Sequence, residues 1–100
     1  MIKVTFTESP KKLSLRLEGH AEYAEHGKDI VCASASILAY TLASIVDSFD
    51  DIESSIDLAS GDTTIECESN TSTRNAFAYT KVGYALLAQN YPQYVRLIES

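Results

Sequence analysis

The chain has no tryptophan, one methionine, two prolines, four glycines and only two cysteines in its 100 residues. Two thiols, Cys32 and Cys67, without a CxxC-type spacing cannot supply the paired ligands of a structural zinc site or the framework of a disulfide-stapled secreted domain. Both are expected to be reduced. His20, His26, Cys32 and Cys67 are zinc ligands by type, but no short spacing joins them, so no metal is expected. Basic residues are scarce: 8 Lys and Arg stand against 14 Asp and Glu, a net charge of -6. Contact with a phosphate backbone draws on clustered cations, so direct nucleic-acid binding is not expected, and an acidic surface suits a basic peptide better. No stretch is read as approaching the roughly 18 apolar residues of a membrane span, and Met1 to Phe6 alternates instead of forming a basic-then-apolar leader. The expectation is a cytoplasmic protein with no membrane partner.

An apolar content of 45% in this length suits one compact domain over residues 1–100 with one core. Ile2, Val4 and Phe6 alternate with polar residues, as do Leu13, Leu15 and Leu17, on either side of Ser9-Pro10-Lys11-Lys12, which predicts a β-hairpin. Gly19 ends the second strand. Ala21 to Lys28 is polar, lacks periodicity, holds Gly27 and is read as a mobile loop. From Asp29, a suitable N-cap, apolar residues recur at helical spacing to Phe49. Ile52 to Leu58 and Thr63 to Ser69 alternate around Ser60-Gly61-Asp62, a second hairpin, with Cys67 beside Ile65 on the inward face. Phe77, Tyr84, Leu87 and Tyr91 share one face of a second helix, Thr73 to Tyr91, which Pro92 stops. The tail Tyr94 to Ile98 alternates weakly, enough for an edge strand. The order ββαββα, with that last strand, predicts an α+β two-layer sandwich: a mainly antiparallel sheet carrying both helices on one face.

Chemistry concentrates between His20 and Cys32. Cys32 falls in the first turn of a helix, where unpaired N–H groups favour a thiolate, and an imidazole brought beside it forms the ion pair of an acyl-transfer nucleophile. The Cys32 and Ala33 amides are candidate oxyanion donors. A Cys in an apolar helix start also suits a plain core position, as Cys67 does on its strand. Ser36, one turn beyond Cys32, can support the thiolate or His20, or bond back to an upstream carbonyl. Asp29 can orient His20 as a third member or serve only as cap, and the cap is favoured. His26 is the other imidazole able to replace His20. Tyr79, Tyr84, Tyr91 and Tyr94 suit a partner surface or half-buried core positions.

Gly19-His20-Ala21, Gly27, then Asp29-Ile30-Val31-Cys32-Ala33 with Ser36 four residues past the cysteine resemble the signature of the Prp family, the ribosomal-processing cysteine proteases. The resemblance runs through nearly the whole chain in the order of its elements. One departure is Ser34-Ala35, where the family usually has Ala and a larger Val. The resemblance implies a His20–Cys32 dyad, a loop around Gly19, Ala21 and Gly27 that closes over substrate, and no cofactor. It also implies a homodimer, and as substrate the N-terminal extension of a bacterial large-subunit ribosomal protein. A different class fits the same helix start: a non-catalytic, ribosome-associated or assembly module that binds a peptide.

Overall fold

The computed structural model describes residues 1–25 and 27–100; His26, the alternative imidazole, lies outside the described residues. The alternating first segments form strands β1 (Ile2–Glu8) and β2 (Lys12–Glu18), paired antiparallel with Val4 opposite Leu17 and Phe6 opposite Leu15. Because side chains alternate across a strand, Ile2, Val4, Phe6, Leu13, Leu15 and Leu17 all reach one face, and all six are buried there. The second hairpin is β3 (Ser54–Ala59) and β4 (Asp62–Glu68), and β4 pairs antiparallel with β2.

A last strand, β5 (Val95–Glu99), is the weakly patterned tail. It lies at an edge and runs parallel to β1 in a sheet of order β3-β4-β2-β1-β5, so the sheet is mixed, with one parallel pair among antiparallel ones. Its apolar run is short because Val95 is its one deeply buried residue.

Helices α1 (Ile30–Ser48) and α2 (Thr71–Asn90) cover the apolar face. α2 starts two residues before the expected Thr73. Asn70 and Thr73 close a reciprocal capping box, Thr73 N–H donating to Asn70 Oδ1 and Asn70 N–H to Thr73 Oγ1, both at 2.8 Å. That first turn carries no apolar residue, so periodicity could not mark it. Tyr84 of α2 lies at the centre of the core, its ring edge-on to Phe6 at 5.9 Å and its hydroxyl donating to the Ala35 carbonyl of α1 at 2.8 Å. Burial pushes the Tyr84 phenol well above its ordinary value, so it stays a neutral donor.

The expectation of no span-like stretch needs correcting for α1, which reaches 19 residues at a mean hydropathy of 1.7, long and apolar enough to cross a membrane by those two measures. Alanines, isoleucines and valines with a single charge produce that value. Its stripe Val31, Ala35, Ala39, Leu42, Ala43 and Val46 is buried within this domain, and the small residues of its first half let sheet and α2 approach closely.

Candidate active site

The end of β2, the first turns of α1 and the β3–β4 turn meet at one end of the sheet and enclose an open groove of about 690 Å³. His20 enters it from just past β2, and Cys32 and Ser36 from α1. Leu58 and Tyr40, both substantially exposed, face the same space from β3 and α1.

Cys32 is half-buried, and its Sγ accepts the N–H of Ala21 at 3.3 Å. Ala21 is itself buried, so the residue after His20 tucks beneath the loop and aims its amide at the sulfur. The chain leading to it is pinned: the Met1 nitrogen donates to the His20 carbonyl at 2.6 Å, and Gly19 N–H donates to Gly61 O at 2.9 Å. Gly19 adopts φ +88, and a Cβ there would fall 2.6 Å from the Met1 carbonyl oxygen, so the approach requires glycine.

Asp29 organises the other side. One carboxylate oxygen accepts the N–H groups of Val31 and Cys32 at 3.0 and 2.9 Å, capping α1. The other accepts Tyr23 and Ala24 N–H at 2.9 and 3.3 Å, tying the intervening loop to the helix start. Burial works against the charge, but the amide donors outweigh it and hold the Asp29 carboxyl below its ordinary value. The loop has a second anchor: the Tyr23 ring stands edge-on to Tyr91 at 5.6 Å and to Tyr94 at 5.1 Å. Glu22, between His20 and these anchors, takes a left-handed backbone, φ 57.

The first-turn amides expected to hold an oxyanion are both committed. Cys32 N–H bonds the Asp29 carboxylate and Ala33 N–H bonds the Asp29 carbonyl at 3.0 Å, because a strong cap satisfies the donors nearest to it. The donor that faces the sulfur is Ala21 N–H. The upstream bond considered for Ser36 is made by Ser34, whose Oγ donates to Ile30 O at 2.6 Å, while Ser36 lines the groove.

Cys67 is buried in the core, at the far end of β4 from the groove. Burial pushes its thiol up, a hydrogen bond with Thr73 works the other way, and the Glu68 carboxylate adds to the rise. Among the described residues no group of three or more His, Cys, Asp or Glu is placed to hold a metal ion. Of the tyrosines singled out in the sequence, Tyr84 is core, Tyr91 and Tyr94 hold the loop, and Tyr79 is exposed. The residues that sequence reasoning missed at the groove are Leu58, Tyr40 and Gly61, and it missed Tyr23 as the anchor of the loop. Ser60-Gly61-Asp62 signalled only a turn, and nothing in it says what the turn packs against.

The family described as cysteine protease Prp matches residues 1–96. The ribosomal processing cysteine protease Prp of Bacillus subtilis (strain 168) is 43% identical over 42 residues, a stretch spanning 40% of this chain and 38% of that protein. The crystal structure of an essential ribosomal processing protease Prp from S. aureus, in complex with a covalently linked product peptide, superposes with a TM-score of 0.88 at 24% identity over the whole of both chains. SMU.848 from Streptococcus mutans gives a TM-score of 0.74 at 28% identity, covering 99% of this chain and 93% of that one.

Proposed function

The chain belongs to the Prp family of cysteine proteases, and from that premise we propose that it is an endopeptidase that removes the N-terminal extension of a bacterial large-subunit ribosomal protein. The observation that carries the reading is the shared groove: His20 and Cys32 both open into it, with Ala21 N–H on the Cys32 sulfur.

In the proposed reaction the Cys32 thiol gives its proton to the His20 imidazole, and the thiolate attacks the carbonyl carbon of the scissile bond. Negative charge moves to the carbonyl oxygen, and the Ala21 N–H that faces the resting sulfur turns to it, since Asp29 holds the first-turn amides. Collapse of the tetrahedral species breaks the C–N bond, and the imidazolium passes its proton to the departing amine. Water, losing a proton to His20, then attacks the thioester carbonyl and regenerates the thiol. No cofactor enters. Asp29 acts through the loop and helix start, and Ser36 supports the dyad from the groove wall.

The substrate reading has support from relatives: the B. subtilis protein is named for ribosomal processing and the S. aureus protein holds a peptide in its crystal. An acidic chain draws a basic ribosomal tail by long-range steering. Such a substrate puts the enzyme in the cytoplasm, with residues 1–100 as one protease domain. A homodimer is part of the same reading, and it is supported by the solvent side of the helical layer, which leaves Ile37, Tyr79, Val82 and Leu86 exposed.

The test is cleavage of the precursor ribosomal protein, followed by mass spectrometry, with Cys32→Ala and His20→Ala alongside. Both variants are expected to leave the precursor intact. Cleavage by Cys32→Ala at an undiminished rate ends the proposal.

A further inference from the structure

The geometry points to Gly61, in the β3–β4 turn, as the positioning residue for His20, an assignment that rests on His20 being the base of the proposed protease. Gly61 has φ +75, and a Cβ built on it would lie 2.7 Å from His20 Nε2 and 3.1 Å from Cε1. The edge of the imidazole therefore occupies the space that a side chain at 61 would take. Neither backbone is free to yield. Gly19 N–H holds Gly61 O at 2.9 Å, and the Met1 nitrogen holds the His20 carbonyl at 2.6 Å. The ring, exposed and turning about two torsions, is the compliant part, so a methyl group at 61 displaces the imidazole. The bare Cα of Gly61 leaves the space that the ring fills and so sets where the imidazole rests in the groove it shares with Cys32. Proton transfer from the thiol depends on that setting, and a misplacement of about 1 Å in such a pair costs on the order of 100-fold in rate.

Two variants test this, Gly61→Ala and Gly61→Asn; asparagine tolerates the left-handed backbone, which separates turn strain from the added Cβ. In variants shown to be folded by thermal melting, kcat for precursor cleavage is expected to fall about 10- to 100-fold. The His20 ring resonances, assigned against His20→Ala, are expected to change in position. The unsubstituted protein is expected to show a nuclear Overhauser contact between the His20 ring and the Gly61 α-protons, a readout that needs no variant to fold. Absence of that contact overturns the assignment. So does a folded variant with kcat within about threefold of the parent, or a fall in kcat with unaltered His20 resonances, which places the effect in the substrate groove. The underlying protease reading fails on a different result, wild-type cleavage by His20→Ala.

Discussion

The Ala21 backbone N–H donates to the Cys32 sulfur at 3.3 Å, although the two residues are eleven positions apart in the chain. One short segment thereby carries the imidazole on one residue and, on the next, a donor trained on the thiol.

The two thiols should differ sharply in reactivity. Cys32 opens to the groove, whereas Cys67 is 2% exposed and its thiol is pushed up by burial. Iodoacetamide at neutral pH is expected to modify Cys32 more than about tenfold faster, read by peptide mass spectrometry. Equal rates would contradict the picture of one accessible nucleophile and one core thiol.

Replacing Asp29 by Ala removes the α1 cap and both loop tethers, and should cost about 1 to 2 kcal/mol in urea unfolding. The pH dependence has a definite sign. The folded-state value lies below the ordinary 3.8, so the contribution is complete above that pH and is lost as pH falls through the lower folded value. The stability gap between parent and Asp29→Asn is expected to close progressively below about pH 4; a gap that instead widens there refutes the assignment.

Tyr23→Ala removes two edge-on aromatic contacts, each of about 0.5–1.5 kcal/mol, while leaving the Asp29 bonds in place. Because Ala21 is the one buried residue among the described residues of the loop 21–28, the effect should be local. Amide exchange at Tyr23 and Ala24 is expected to quicken with little change in the global unfolding midpoint, and KM is expected to rise more than kcat falls.

Tyr84→Phe deletes the hydroxyl that ties α2 to the Ala35 carbonyl while keeping the ring against Phe6. The loss should be about 1 kcal/mol by chemical denaturation. A larger effect on cleavage than on stability would show that α1's first half depends on this bond for its alignment.

Strand alternation and helical spacing are strong signals, and they located four strands and both helices to within a few residues. β5 was faint because it lies at an edge and buries little of its length. The start of α2 was hidden by an all-polar first turn, although Asn70 followed three residues later by Thr73 resembles a box signal. Cys32 and Ser36 could be placed on one helical face from their spacing of four. That Gly61 abuts His20 depends on pairing between β2 and β4, whose partners lie 44 to 56 positions apart, and local patterns carry no such information; which amide reaches the sulfur depends on the path of a loop that has no periodicity to read. The Asp29 carboxylate illustrates the same limit: its capping role is written in the sequence, its second set of bonds to Tyr23 and Ala24 is not.

The order β3-β4-β2-β1-β5 has a kinetic consequence. His20 and Cys32 are close in the chain, but the turn against which His20 rests arrives only when the second hairpin docks on β2. Pairings of such sequence separation form late, after loop-closure entropy has been overcome. In a refolding experiment, recovery of proteolysis should therefore lag behind helix formation and coincide with completion of the sheet. A partly folded chain is, by this arrangement, a spectator until its own architecture is finished.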